Sequence, residues 1–119
     1  MSIKEEPKKI IIKPNVHTYK LTNMHTKYNI TLTIDFDKKK ISGQSVINEY
    51  FADINVKDDL IEIKPIKTTR KTDNDEKRKA EGQYLSVLQT AHSFKVENDK
   101  LYIYTIFLAD TPLIFKLIS

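Results

Sequence analysis

The clearest pattern in the chain runs from Tyr28 to Phe36, where Tyr28, Ile30, Leu32, Ile34 and Phe36 alternate with Asn29, Thr31, Thr33 and Asp35. Apolar side chains at period two give a strand one oily face and one polar face. Asp37-Lys38-Lys39-Lys40 follows as a turn and Ile41 begins the return, so this stretch predicts a hairpin. From Ser42 to Val56 the alternation is less regular, and Gly43 sits early in it, where a missing Cβ permits a bulge or a close backbone contact. Lys57-Asp58-Asp59 predicts a second turn and Leu60-Ile61-Glu62-Ile63 a short strand; Pro65, with no N–H for a ladder, ends that strand or places it at an edge.

The period then changes. Ala80, Tyr84, Val87, Leu88 and Ala91, with Leu85 alongside, form one apolar stripe at helical spacing, which predicts a single helix over about 73–90. Asp73 followed by Glu76 resembles a capping box, and Asp75 adds negative charge at the positive helix end. Beyond it, Phe94 and Val96, a turn at Asn98-Asp99, Leu101 to Ile106, and Leu113 to Ile118 after Pro112 read as closing strands. Ile10-Ile11-Ile12 predicts one more strand near the start, stopped by Pro14 and Asn15. Strands, one helix, then strands predict a mainly antiparallel α+β fold, a small curved sheet or incomplete β-barrel with the helix packed against it.

Composition narrows the chemistry. The 119 residues suit one domain, and the absence of cysteine excludes disulfides, thiol catalysis and cysteine-ligated metals. No apolar run approaches the roughly 18 residues that span a bilayer, and no signal peptide is visible at the N-terminus, so a soluble chain is expected. Twenty Lys and Arg against 16 Asp and Glu leave a net charge of +4, with both signs interspersed. The densest basic stretch comprises Lys64, Lys67, Arg70, Lys71, Lys77, Arg78 and Lys79, a possible patch for an anionic partner. Small barrels bind single strands through a basic groove with stacking aromatics, but here the aromatics alternate toward the core.

No catalytic constellation emerges. His17, His25 and His92 lack metal-ligand spacing, and Asp35 and Asp37 sit at a hairpin end rather than in a sheltered cleft. The serines show no nucleophile elbow, and two glycines cannot build a phosphate-cradling loop. The expectation is a non-enzymatic chain with no metal and no cofactor.

The run Ser42-Gly43-Gln44-Ser45-Val46-Ile47-Asn48-Glu49-Tyr50-Phe51-Ala52-Asp53 resembles the signature of the META/HslJ-like domain: Ser-Gly, three variable positions or a Cys ending them, Asn, any residue, two aromatics and a small residue. Thr68-Thr69-Arg70 is similar to that family's Thr-Arg element, Glu81 with Tyr84, Leu85 and Leu88 to its Glu–aromatic–Leu helix, and Phe94-Lys95-Val96 with Asp99-Lys100-Leu101 to its closing strands. The resemblance covers about residues 28–118. Ile47 and Asp73 stand where many members carry a pair of cysteines, so the redox feature of those relatives is absent, as is their N-terminal Trp.

The resemblance implies a curved sheet or incomplete barrel with one helix, similar to the pilot lipoproteins of secretion systems. It also implies an envelope, stress-response or secretion setting and no known reaction. Localisation follows from it: a bacterial envelope or periplasmic lipoprotein if a leader is removed, otherwise cytoplasmic. Residues 1–20 have no counterpart and read as an N-terminal extension, with the domain at 21–119. Gly43, Asn48, Thr69, Arg70 and Glu81 are the signature positions, expected to maintain the scaffold, with Arg70 and Glu81 placed to pair across the helix start. A monomeric binding or stability module for a protein or an apolar ligand between sheet and helix is the leading expectation. A basic small barrel that binds nucleic acid is the alternative.

Overall fold

The computed structural model describes residues 15–119. Nine strands and one helix follow in the order β1 (Val16–Leu21), β2 (Thr31–Asp35), β3 (Lys40–Gln44), β4 (Glu49–Lys57), β5 (Leu60–Ile63), β6 (Lys67–Thr68), α1 (Asp75–Gln89), β7 (Ala91–Glu97), β8 (Lys100–Thr105) and β9 (Leu113–Leu117). The expected Ile10–Ile12 strand lies outside the described residues.

Eight of the strands close on themselves in the order β3-β2-β1-β9-β8-β7-β5-β4, and β4 returns to β3. The barrel is therefore closed rather than incomplete. Closure is uneven around the ring. The β3–β4 ladder runs over five residue pairs from Lys40↔Asp53 to Gln44↔Glu49, whereas β5 and β7 meet only at Leu60↔Ser93. Phe94 N–H also donates to Asp59 O at 2.9 Å beside that pair, and the end of β5 is tied by the side chain of Gln89, the last helical residue. Its Nε2 donates to Ile63 O at 2.9 Å and Lys64 O at 3.1 Å, and its Oε1 accepts from Ile66 N–H at 2.8 Å. A local sequence pattern could not reveal this closure, because it depends on a helix end meeting a strand that ended 26 residues earlier.

The period-two pattern places the core. Leu32 and Ile34 of β2, Tyr50, Ala52 and Ile54 of β4, Ile61 and Ile63 of β5, Leu101 and Ile103 of β8 and Leu113 and Phe115 of β9 all face inward and are buried. Strand β1 alternates likewise, with Tyr19 and Leu21 buried and Val16, Thr18 and Lys20 half-exposed. It pairs with β2 and β9, so the wall begins at Val16 and the boundary expected between residues 20 and 21 falls inside a strand. Its three apolar residues, Val16, Tyr19 and Leu21, do not share one period-two register, so the local pattern does not mark the strand.

Three tight turns join β2–β3, β4–β5 and β7–β8. Lys39, Asp58 and Asn98 in these turns take left-handed φ values of 58°, 57° and 58°. Asp and Asn tolerate that region through local hydrogen bonding, which lets the chain turn without glycine. The longer connections, 22–30, 45–48 and 106–112, emerge together at the opposite end, as antiparallel alternation requires.

Helix α1 lies across that second end. Ala80, Tyr84, Val87 and Leu88 of the expected stripe are buried there, and Glu81 is buried among them. The N-cap is Asn74 rather than the expected Asp73: Asn74 Oδ1 accepts from Lys77 N–H at 2.9 Å, while Asp73 accepts from Asn74 N–H. Asp73 stands one residue too early to reach the first free N–H groups of the helix.

Candidate functional site

Three of the five signature residues form one polar clasp between helix and barrel. Glu81 Oε1 accepts from the N–H groups of Ile47 and Asn48, both at 2.8 Å, and its Oε2 accepts from Asn48 Nδ2 at 2.8 Å. Asn48 Oδ1 accepts from Thr69 Oγ1 at 2.9 Å and from Lys71 N–H at 2.6 Å. Thr69 Oγ1 in turn accepts from Glu49 N–H at 3.1 Å. One asparagine thus joins the 45–48 loop, the segment after β6 and the helix. Burial alone would raise the Glu81 carboxyl, but the Asn48 backbone N–H, the Asn48 amide, the Ile47 N–H and the nearby Ser45 hydroxyl outweigh it and hold the carboxyl below its ordinary value. Ser45 Oγ is itself buried without a hydrogen bond of good geometry.

Arg70 does not join this clasp. It is exposed, and the carboxylate expected to pair with it is engaged by Asn48 and Ile47. Neutral N–H donors reach the buried carboxylate without bringing a guanidinium out of water, which avoids a large desolvation cost.

Gly43 serves a neighbouring contact. A Cβ on it would lie 2.2 Å from Thr31 O and 3.0 Å from Tyr50 Cε1, so only glycine lets β2 approach this closely. Tyr50 hydroxyl donates to that same Thr31 O at 2.7 Å and lies 2.7 Å from Tyr84 hydroxyl. Since the Tyr50 proton is committed to a carbonyl, Tyr84 is the donor to Tyr50. The two rings meet edge to face with centroids 5.7 Å apart. Burial pushes both phenols up, Tyr50 well above its ordinary value. These side chains, with Val87 and Leu88, fill the space between sheet and helix where an apolar ligand was expected.

The seven basic residues do not share one surface. Lys64 lies 3.5 Å from Glu62, Lys77 3.4 Å from Asp73, and Arg78 pairs with Asp75. Lys71 contributes its backbone to Asn48. Lys79 borders a cleft with Lys27, Glu76 and His25 on the helix side, whereas Lys64 and Lys67 stand over the outer barrel wall. Among the described residues no group of three His, Asp or Glu side chains could hold a metal ion.

That outer wall carries a cleft of about 640 Å³ across β1–β4 and the 64–67 segment. Phe51, 47% exposed, lies in it beside Val16 and Pro65, with Lys40, Lys64 and Lys67 around it. Two carboxylates border it as well, Asp35 and Asp53, and Lys40 pairs with Asp53 at 2.7 Å. In the sequence Phe51 stands out only as one residue of the Ser42–Asp53 run. Its outward direction was legible, since Tyr50 and Ala52 on either side face the core and successive strand residues point to opposite faces.

The family model described as the META domain matches residues 14–116. The chain belongs to the META domain family. Two solved structures share the fold of this META domain. An NMR structure of a protein from Burkholderia xenovorans superposes with a TM-score of 0.69 at 16% identity, covering 98% of this chain and 99% of that one. A second NMR structure gives 0.63 at 19% identity over 90% of this chain and 96% of the other. No curated protein matches. The match from residue 14 agrees with β1 being part of the domain, and within it the Asn48–Thr69–Glu81 clasp is a joint between barrel and helix.

Proposed function

We propose that this META domain is a non-enzymatic binding and stability module of the envelope or secretion apparatus, whose protein or amphipathic partner seats on the outer wall at Phe51. The observation that carries the reading is the exposed Phe51 ring in a cleft of about 640 Å³ with Lys40, Lys64 and Lys67 around it. A large exposed aromatic ring beside apolar Val16 and Pro65, with lysines at the margin, is what an interaction site uses as an anchor. The non-enzymatic reading draws on Glu81, the carboxylate best sheltered from water. Fixed donors keep it ionised and lower its pKa, away from the range a general acid or base needs near neutrality. The test is an NMR titration of the chain with envelope extract and with a long-chain carboxylate. Shift changes centred on Phe51, lost in Phe51→Ala, support the site; changes elsewhere or none overturn it.

The same ring favours a second reading, in which Phe51 is a stacking platform and the lysines take phosphates of a single strand. Three neutralised phosphates give a log–log salt slope of about −2. Absence of binding to an oligonucleotide at low salt removes this reading.

A further inference from the structure

The helix end of the barrel carries a second surface, which shares no residue with the Phe51 cleft. Ile106 and Phe107, at the start of the β8–β9 connection, are 72% and 65% exposed. Their backbone is pinned. Ile106 N–H donates to Thr90 O at 3.1 Å, Phe107 N–H to Thr90 Oγ1 at 3.2 Å and Leu108 N–H to Thr105 Oγ1 at 3.1 Å. Three consecutive donors turn inward while two large apolar side chains stay in water. Apolar groups held in this way lose little freedom on binding, so an interface gains most of their burial.

Phe107 separates two clefts. One of about 320 Å³ is bordered by Met24, Gly82, Gln83, Ser86, Val87 and Leu108. The other, of about 480 Å³, is bordered by Ile66, Leu85, Ser86, Gln89 and Thr90. None of these residues is charged, in a chain in which 30% of residues are. Gly82 leaves the first cleft open, since a Cβ on it would meet nothing within 4 Å. A projecting ring and an open hole therefore stand side by side on one uncharged face.

We infer that this face is a self-association surface, on which two copies of the chain pair about a two-fold axis with each Phe107 seated in the other copy's Gly82 cleft. A two-fold interface needs a patch complementary to itself, which a ring beside a hole supplies. Charge selects the same occupant. Two chains of net charge +4 meet with least repulsion where neither carries charge. Within these two clefts an acidic or basic partner finds no counter-charge. Lys79 and the Lys27–Glu76 pair at 2.5 Å border the adjoining cleft and form a polar rim. The inference departs from the monomer expected from sequence.

Sedimentation equilibrium on the full chain, from micromolar to near-millimolar concentration, tests it with two variants. Phe107→Asp removes the ring, and Gly82→Gln fills the hole at an exposed helix position where a side chain favours the helix, so the fold is kept. The expected result is a concentration-dependent dimer whose dissociation constant rises at least about tenfold in either variant. A chain that stays monomeric throughout, or a dimer that neither variant weakens, overturns it. So does co-sedimentation of a monomeric chain with phosphatidylcholine–phosphatidylglycerol vesicles that only Phe107→Asp abolishes, which assigns the ring to a lipid surface.

Discussion

Asn48 and Glu81, 33 residues apart in the chain, meet through two hydrogen bonds of 2.8 Å, one from the asparagine backbone and one from its amide. A third carboxylate contact, from Ile47 N–H, completes a fit in which a buried negative charge is satisfied by neutral donors. The loop at the barrel end is thereby fastened to the helix that covers it.

Asn48→Ala removes the side-chain half of this joint and leaves one Glu81 oxygen without its donor. It should destabilise the domain by about 2–4 kcal/mol, measured by urea denaturation, because an orphaned buried charge costs more than a lost neutral bond. Thr69→Val, which breaks only the hydroxyl contacts, should cost about 1–2 kcal/mol. Equal effects of the two would contradict the central place of Asn48.

Glu81 also sets an acid limit. Its carboxyl is held below the ordinary value in the folded chain, so its contribution is present above the unfolded value near 4.5 and is lost as pH falls through the folded one. Urea midpoints taken between about pH 6 and pH 3 should fall for the natural chain. Glu81→Gln should start lower and change less over the same range. Asp53, Glu62, Asp73 and Glu76 are also lowered, by Lys40, Asn55, Asn74 and Lys27 respectively, but they lie at the surface. High salt suppresses much of the charge-pair part of their share and leaves that of Glu81.

Gly43→Ala places a methyl group against the Thr31 carbonyl, where backbone must move. A loss of about 2–4 kcal/mol is expected in thermal or urea unfolding. Gly82→Ala, on the open helix face, should instead be neutral or stabilising by up to about 1 kcal/mol.

The direction of the tyrosine relay predicts an asymmetry. Tyr84→Phe removes a donor to Tyr50 and leaves the Tyr50–Thr31 bond in place, at a cost of about 1 kcal/mol. Tyr50→Phe strands both the Tyr84 hydroxyl and the Thr31 carbonyl, and should cost about 2–3 kcal/mol. The reverse order would show that the protons run the other way.

Gln89 and Arg70 form a further contrast. Gln89→Ala leaves two carbonyls and one N–H of the 63–66 segment without their partner, so about 2 kcal/mol should be lost, with faster amide exchange at Ile66. Arg70→Ala, at an exposed position, should change stability by less than about 0.5 kcal/mol despite its place in the signature.

Much of this architecture is determined locally. The alternation from Tyr28 to Phe36, the turns at Asp58 and Asn98, and the stripe of Ala80, Tyr84, Val87 and Leu88 each act within a few residues, where period and turn chemistry suffice. The outward direction of Phe51 is legible from its neighbours in the same way. Only the tertiary structure decided which residues meet. Glu81 carries a charge that reads as an ion-pair candidate, yet its partners are N–H groups presented by a loop 33 residues away. On its β5–β7 side the barrel is closed by the Leu60↔Ser93 pair, the Phe94–Asp59 backbone bond and the Gln89 side chain, which exist only once segments far apart in sequence are side by side. The seven basic residues form a cluster along the chain but separate in space, because the connection into the helix carries them onto different faces. Spacing along a strand or helix determines which way a side chain points; what it then meets is settled by long-range packing.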